Sequence, residues 1–165
     1  SRKSSLNKST NVTYYQVSAT EMMSAVIYNN QGNMKADFIC WSVQMRNLDQ
    51  GNETGVRVYN YKTTASHSVY SINEKVQTVS ALNYSIKNAV RYEYTKDEIH
   101  TDPVIFSDGQ MCDLLNVQND SPKGGCELWV NSYYKDNVPP CCSFIYDLLC
   151  AVEKSYDIYD KQKCQ

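Results

Sequence analysis

Seven cysteines are the residues of this 165-residue chain whose types and spacing most restrict its chemistry. Three of them lie within VPPCCSFIYDLLC, residues 138–150, and the other four are Cys40, Cys112, Cys126 and Cys164. Thiols at this density oxidise to disulfides outside the cell, whereas inside it they would need a metal or redox role. Their spacing alone does not choose among the pairings.

Sequons for N-glycosylation favour the extracellular alternative. They occur at Asn7 (NKS), Asn11 (NVT), Asn52 (NET) and Asn83 (NYS), and a further one at Asn119 is weakened by the proline that follows it. No apolar run approaches the ~20 residues of a membrane span, and no charged apolar leader is present. We therefore expect a mature secreted glycoprotein from which a signal peptide has been removed.

The remaining composition argues against catalysis and against nucleic acid. Two histidines, no metal-ligand spacing and no glycine-rich phosphate loop leave a catalytic site without its parts. Lysine and arginine total 16 against 18 aspartates and glutamates, and no basic cluster interleaves with aromatic residues. We expect a protein that is not an enzyme, needs no metal or cofactor, and does not insert into membranes.

Short segments that alternate between apolar and polar residues indicate antiparallel strands. They span residues 13–19, 37–45, 55–61, 67–72, 75–82, 89–94, 103–106, 112–117 and 126–133. Their number and spacing favour a sandwich or an up-and-down barrel, in a single domain over residues 1–165. Residues 1–12 are expected to be flexible, and long loops are expected at 28–37 and 119–125.

The C-terminal segment has a different periodicity. Two prolines precede CCSFIYDLLCAVEKSY, so we expect one helix over residues 139–156. Its predicted apolar face consists of Phe144, Ile145, Leu148, Leu149 and Val152. This face should pack on the outside of the barrel.

Strand parity assigns side chains to faces, because successive residues of a strand point to opposite sides. If Cys112 and Cys126 bond to a helix outside a barrel, then Asp113, Glu127 and Trp129 face its interior. In DFICWSVQM the same rule puts Ile39, Trp41, Val43 and Met45 inside and Phe38, Cys40 and Gln44 outside. Such an aromatic and aliphatic interior with a few acids is a ligand site, unless the barrel is filled by its own side chains.

The segments VTYYQVSAT, DFICWSV, NAVRYEYTKDEIHTDPVIFSDGQMCDLL, CELWV and DNVPPCCSFIYDLLCAV occur in this order before a near-terminal cysteine. From Thr13 to Cys164 the chain resembles the tick salivary lipocalins, the histamine-binding-protein family. The resemblance implies an eight-stranded antiparallel lipocalin-type barrel with a C-terminal helix against its side. Members of that family trap histamine, serotonin or leukotrienes, hold fatty acids or sterols, block complement, or alter immune-cell behaviour, as in the japanin subgroup.

The resemblance also implies the disulfide pairing. It links Cys40 to Cys164 and Cys112 to Cys142, and leaves Cys126 and Cys150 as a third pair. Each bridge should contribute about 2–4 kcal/mol. The odd thiol is Cys141, whose partner in relatives is an N-terminal cysteine that this sequence lacks. It is free, bonded to another chain or buried, and we expect it to be buried and inert.

Ligand residues are implied in the same way, because a buried ammonium requires carboxylates and gains from ring faces. Glu74, Tyr92, Glu127 and Trp129 match one family amine pocket, and Asp102 and Asp113 match acids of the other. The departures are Ser24 for an aspartate, Ile27 for a tryptophan and His100 for another aromatic residue. In addition, the acid expected before the first strand falls among Asn7 and Lys8. Each pocket therefore lacks at least one family carboxylate, which should weaken amine binding.

Apolar residues stand near the lost acids. Met22, Met23 and Ile27 lie in EMMSAVI, the loop expected to cover the mouth of the barrel. With Trp41 they are expected to contact a hydrophobic ligand, because methionines adapt to irregular apolar shapes. The alternative is that this loop plugs its own barrel.

Three functions are consistent with the sequence. The preferred one is a secreted lipocalin that binds a sterol or fatty-acid-like lipid and modulates host immune or inflammatory responses. The second is a scavenger of a biogenic amine such as histamine or serotonin. The third is an immunomodulator that binds a host immune-cell protein and uses the barrel as a scaffold. The acids Asp113 and Glu127 have a structural alternative as partners of tyrosines, and Trp41 and Trp129 have one as core residues.

Overall fold

A computed structural model describes residues 11–117, 124–150 and 154–165. The strands are β1 (Thr13–Ala19), β2 (Ser24–Asn29), β3 (Gly32–Asp49), β4 (Thr54–Thr63), β5 (Ser66–Val79), β6 (Ala89–Thr95), β7 (Glu98–Ser107), β8 (Cys112–Val117), β9 (Gly125–Asn131) and β10 (Tyr156–Asp157). The helix α1 spans Pro140–Leu149. None of the helices in these residues is long and apolar enough to cross a bilayer.

The sheet closes into a barrel because β1 pairs with strands on both of its sides. It is antiparallel to β9 through Tyr15 and Val130, and antiparallel to β3 through Tyr15 and Ser42. The pairing order β9-β8-β7-β6-β5-β4-β3 completes the ring. The predicted eight-stranded antiparallel barrel with one external helix is confirmed.

The chain predicted as a loop at 28–37 is instead a hairpin, so that expectation is wrong. Residue Ser24 pairs with Asp37 at its base, and Asn29 pairs with Gly32 at its tip. The turn forms because Gly32 adopts φ +119°, a region that favours glycine, and the Asn29 side chain accepts a hydrogen bond from the backbone of Gln31. This β2–β3 hairpin projects from one end of the barrel.

That end is the mouth of the barrel, which also carries the β4–β5 and β6–β7 turns. The other end carries the β3–β4 turn and the connection over residues 80–88, where the exposed sequon residues Asn52 and Asn83 lie. Asn11, also exposed, lies two residues before β1 at this end. Asn7, Asn119 and most of the predicted loop at 119–125 lie outside the described residues.

A bulge in β3 changes the predicted parity. The register shifts between Ile39 and Ser42, and Cys40 adopts φ 61° within the shift. Because one extra residue reverses the alternation on its far side, Phe38 turns toward the interior and packs at 5.3 Å from Tyr61. The predicted outward Phe38 and inward Ile39 are therefore wrong, while Trp41, Val43 and Met45 face inward as predicted.

The helix is shorter than the predicted 139–156 and uses another face. It ends at Leu149, and residues Tyr156–Asp157 form a strand against β1. Its buried residues are Cys142 and Tyr146, whereas Phe144 is 62% exposed. Among the predicted face, Leu148 and Leu149 also point to solvent, Ile145 packs on the core, and Val152 lies outside the described residues.

Three disulfides connect the helix and the C-terminus to the barrel. They join Cys40 to Cys164, Cys112 to Cys142 and Cys126 to Cys150, which are the pairs expected from the resemblance. Cys141 is unpaired, as expected, but it is exposed rather than buried. The reason is helical geometry: Cys142 turns into the bridge with β8, so its neighbour in the first turn points away from the barrel.

Candidate ligand-binding site

Trp129 is the centre of the charged interior near β8 and β9. Asp113 on β8 is directly opposite Trp129 on β9, and Glu127 precedes Trp129 by two residues on the same face. The indole Nε1 donates a 2.9 Å hydrogen bond to Glu127 Oε2. Together with Tyr14 and Tyr59, these three residues form what we call the Trp129 site. An aromatic platform therefore lies between two carboxylates.

Burial alters the acidity of Glu127. Removal from solvent raises the pKa of this carboxyl to about 7, although hydrogen bonds from Trp129 and Gln16 and the charge of Arg57 act in the opposite direction. The nearby Asp102 raises it further. Glu127 is thus poised between its neutral and ionised forms near physiological pH, and a cation placed beside it would favour the ionised form.

The second acid of the Trp129 site is fixed by hydrogen bonding. Asp113 is buried, and its carboxylate accepts a 2.6 Å bond from the Ser107 hydroxyl. The hydroxyl of Tyr14 donates to the backbone oxygen of Gln110 at 3.0 Å. Burial, and then the charge of Asp113, raises the pKa of Tyr14 beyond the physiological range, so this ring is a neutral wall of the site.

A row of aromatic rings leads from the Trp129 site toward the mouth. Tyr59 packs 5.8 Å from Trp129, and Trp41 packs edge-on 5.8 Å from Tyr59. Trp41 also stacks on Tyr61 at 4.4 Å, and Tyr61 stacks on Tyr70 at 5.4 Å. The row follows from parity, because Tyr59 and Tyr61 are two residues apart and therefore both lie on the inner face of β4. It offers ring faces to a flat ligand along its path.

A second cluster surrounds Arg57, a residue that the sequence interpretation did not single out. Its Nε donates a 2.8 Å hydrogen bond to Glu74 Oε1. The guanidinium carbon lies 5.0 Å from the ring centre of Tyr92 and 5.5 Å from that of Tyr59. The hydroxyl of Tyr92 in turn donates to Asp102 at 2.8 Å. We call Arg57, Glu74, Tyr59, Tyr92 and Asp102 the Arg57 box.

A signal for Arg57 was present in the sequence. In GVRVYNY the residues Arg57, Tyr59 and Tyr61 are spaced two positions apart, so parity places all three on one face of the strand. Charged residues are rarely buried unless they are paired, so parity alone does not establish that Arg57 faces the interior. A buried guanidinium persists here because it is paired with a carboxylate and covered by two ring faces.

The structure therefore regroups the predicted ligand residues. Glu74, Tyr92 and Asp102 come together around Arg57, while Asp113, Glu127 and Trp129 form the other group with Trp41 close by. The resemblance had placed Glu74 and Tyr92 with Glu127 and Trp129, and had placed Asp102 with Asp113. All seven predicted interior side chains do face the interior of the barrel.

The three apolar residues predicted as a lid lie on or beside the β2–β3 hairpin at the mouth. Met23 is 50% exposed and Ile27 is 38% exposed, on and beside the β2–β3 hairpin. Met22 precedes the hairpin and is half-buried. None of the three lines the interior cavity.

Another aromatic position of the interior, His100, lies near the mouth. Its ring stacks on Tyr94 at 4.5 Å and packs edge-on to Tyr92. Nε2 lies 2.7 Å from a carboxylate oxygen of Glu98, while Nδ1 is buried without a hydrogen-bond partner among the described residues. This histidine extends the aromatic wall of the Arg57 box toward the mouth.

One cavity of the barrel interior lies beside Trp129. A cavity of about 50 Å³ is lined by Val12, Tyr14, Val43, Met45, Arg57, Tyr59, Asp113, Leu115 and Trp129. This is room for a few water molecules. A larger concavity of about 460 Å³ is open to solvent, and most of its lining side chains, such as Lys75, Gln77, Arg91 and Glu93, point away from the barrel interior. The candidate site is the interior, because four acids and a row of aromatic rings converge there.

Two curated proteins of Rhipicephalus appendiculatus are similar to this chain. The male-specific histamine-binding salivary protein is 27% identical over 144 residues, which cover 85% of this chain and 68% of that protein. The female-specific histamine-binding protein 1 is 24% identical over 115 residues, which cover 70% of this chain and 60% of that protein. The second match thus spans less than two thirds of the relative.

Solved structures support the fold. The AM182 serotonin complex superposes with a TM-score of 0.65 at 17% identity, over 98% of this chain and 90% of that chain. Japanin from Rhipicephalus appendiculatus bound to cholesterol superposes with a TM-score of 0.59 at 13% identity, over 92% and 94% of the two chains. The model of the tick histamine-binding protein family matches residues 2–165. This chain is a tick salivary lipocalin and belongs to the tick histamine-binding protein family.

Proposed function

We propose that this protein is a secreted salivary scavenger of a small aromatic amine, such as serotonin or histamine, held in the Trp129 site. The observation that carries the proposal is the charge balance of the interior. Glu74, Asp102, Asp113 and Glu127 face it together, and Arg57 is the opposing cation in the two described clusters. A ligand ammonium would reduce this excess of acids.

Electrostatics favour a cation over a lipid at this site. Asp113 and Glu127 both adjoin Trp129, and Asp113 lines the cavity beside it, so a ligand ammonium there would pair with Asp113 while its aromatic ring stacked on the indole or on Tyr59. Cation–ring contacts contribute about 0.5–2 kcal/mol when desolvated. An apolar chain in the same place would remove water from the acids without replacing it, at a cost of roughly several kcal/mol.

The size of the cavity points in the same direction. Pockets for drug-sized ligands measure roughly 300–1,000 Å³, against about 50 Å³ in the cavity beside Trp129. A small amine therefore needs less rearrangement at the Trp129 site than a sterol does. The lipid carrier that the sequence interpretation preferred therefore becomes the second candidate.

One observation still favours that second candidate. Met23, Val26, Ile27, Tyr28 and Met34 expose apolar surface on and beside the hairpin at the mouth. Ile27 and Met34 are cross-strand neighbours on one face of the hairpin, and exposed apolar surface of this kind is typical of a binding surface for a lipid or a host protein. An apolar ligand that entered with this hairpin closed over it would bury the surface, so lipid binding with immune modulation is the competing proposal.

Calorimetric titration with serotonin and histamine tests the amine proposal. We expect micromolar or tighter binding by the wild-type protein, and at least a tenfold loss in Asp113→Asn, because an amide leaves the ammonium without its charge partner. The matched control is Glu93→Gln, which removes an exposed carboxylate on the outer face of β6. Absence of heat from the folded wild-type protein with both amines would refute the proposal.

A further inference from the structure

We propose that Arg57 is a built-in occupant of a second amine site, so that this chain binds one amine where its interior has the acids and rings for two. The Arg57 box has the composition of an ammonium site, with a carboxylate and two ring faces around one cation. In this protein the cation belongs to the chain itself. The inference rests in part on the proposed amine function and deepens it, because it names the residue that sets capacity and selectivity.

The contacts of Arg57 are those that a ligand ammonium would make. Its guanidinium is paired with Glu74 through Nε at 2.8 Å and lies over the rings of Tyr92 and Tyr59. The side chains of Arg57 and Glu74 are only 13% and 20% exposed. A free amine would have to displace a cation that is already desolvated, paired and attached to the barrel wall.

Tethering decides this competition in favour of the arginine. Arg57 is held at its position on β4 directly opposite Glu74 on β5, so its effective concentration beside the carboxylate far exceeds that of a micromolar ligand. The planar guanidinium also stacks on aromatic rings and stays charged at all physiological pH values. The box therefore remains closed to exogenous amines.

The two clusters are adjacent but not equivalent. Tyr59 contacts both, at 5.5 Å from the Arg57 guanidinium and 5.8 Å from Trp129. In the Trp129 site the Glu127 carboxylate accepts a hydrogen bond from the Trp129 indole, and the Asp113 carboxylate accepts one from the Ser107 hydroxyl. An incoming ammonium is a stronger partner than these donors, so the Trp129 site accepts a ligand where the Arg57 box does not.

The test is the stoichiometry of histamine binding, measured by calorimetry and by native mass spectrometry. We expect one equivalent for wild type and two for Arg57→Gln, which removes the cation but keeps a polar side chain. Arg57→Lys keeps a tethered cation and should bind one equivalent. The double variant Arg57→Gln with Glu74→Gln should also bind one, because the freed site has lost its acid.

The outcomes separate this inference from the proposed function. Binding of two equivalents by the wild-type protein would overturn the role of Arg57. The same conclusion would follow if the wild-type protein and a folded Arg57→Gln variant each bound one equivalent. If wild type binds none while Arg57→Gln binds one equivalent that requires Glu74, the role of Arg57 stands and the proposed function fails.

A measurement on the wild-type protein covers the case in which the Arg57 variants do not fold. The side-chain Nε–H resonance of Arg57 should persist with little change in shift when histamine saturates the protein, because the ion pair with Glu74 stays intact. Its disappearance or a large shift on saturation would show that the amine displaces the guanidinium, and would overturn the inference.

Discussion

Glu127 shows at the scale of one residue how burial turns a carboxylate into a pH-dependent ligand group. Its pKa of about 7 means that the ionised form is populated only partly at neutral pH. An ammonium beside it would favour ionisation, so amine binding should strengthen as pH rises from 6 to 8 while the amine itself remains charged. The same raised pKa has a consequence for folding.

We predict that Glu127 lowers stability as pH rises. Below the unfolded-state pKa of about 4.3 the group is protonated in both states and carries no penalty. Between that value and about 7 the unfolded chain ionises first, so stability falls, by about 3 kcal/mol in total. Glu127→Gln should remove this loss, which denaturant unfolding from pH 4.5 to 8 would measure.

The difference between variant and wild type isolates Glu127 from other titrating groups. Glu93→Gln on the outer face serves as control, and its stability should follow the wild-type curve at every pH. Parallel curves for Glu127→Gln and wild type would contradict the assignment of a raised pKa to this carboxyl.

Individual interior residues were predictable only where alternation is regular. Asp113, Glu127 and Trp129 lie on unbroken pairs of β8 and β9, so parity placed them correctly. Phe38 was misplaced because the bulge at Cys40 shifts the register, and no pattern in the sequence marks a bulge with an ordinary L-residue at positive φ. Regular alternation also places Arg57 on the inner face of β4, but a charged residue is seldom buried unless it is paired.

At the scale of elements, the helix shows how covalent bonds override an amphipathic pattern. The sequence places Phe144 and Leu148 on an apolar face, but the bridges through Cys142 and Cys150 fix which side of α1 meets the barrel. That side carries Tyr146, which is 3% exposed. Apolar periodicity located the helix, and the disulfides set its rotation.

We predict that two aromatic substitutions in this helix lower the free energy of unfolding by very different amounts. Tyr146→Ala should lower the free energy of unfolding by about 3–5 kcal/mol, because it leaves a cavity and removes the hydrogen bond with Ser155. Phe144→Ala should change it by no more than about 0.5 kcal/mol, since its ring is in solvent. Thermal and urea unfolding measure both, and a larger cost at Phe144 would contradict the orientation of α1.

The hairpin at the mouth was missed as an element because its turn residues were interpreted as a long loop. The segment around Asn29 and Gly32 contains the turn signal of a hairpin. However, β2, the strand before this turn, pairs with β3 and with no other described strand. With both faces exposed, it shows no alternation of burial from which a strand is recognised.

At the scale of the whole molecule, the barrel depends on bridges that close chain segments of very different length. The bond from Cys40 to Cys164 spans 124 residues, whereas that from Cys126 to Cys150 spans 24. Restricting the unfolded chain stabilises more for a longer loop, by about 4.7 kcal/mol for a loop of ~100 residues against about 3 for ~15.

We predict that Cys40→Ser with Cys164→Ser lowers the free energy of unfolding by about 1 kcal/mol more than Cys126→Ser with Cys150→Ser. Both double variants keep the other bridges and replace each thiol by a hydroxyl of similar size. Urea unfolding of the oxidised proteins gives the two values. Equal losses, or a larger loss for the shorter loop, would contradict a chain-entropy origin of the effect.

The architecture of the whole chain was more predictable than its cavity. The number of strands, the barrel class and the disulfide pairs follow from alternation, cysteine placement and family resemblance. These features depend on short segments or on a few residues of the sequence. The volume of the interior depends instead on how Tyr59, Trp41 and Arg57 pack across the barrel. That packing couples residues far apart in sequence, so alternation alone does not give the cavity volume on which the ligand class depends.

Native mass spectrometry of the glycan-trimmed protein, secreted from eukaryotic cells and compared with its denatured mass, tests the ligand class most directly. We predict that the two masses agree without added ligand, and that micromolar serotonin or histamine adds one equivalent to the native protein. A native excess of several hundred daltons that is lost on denaturation, with no amine adduct, would show a lipid in the barrel and contradict the assignment of the Trp129 site to an amine.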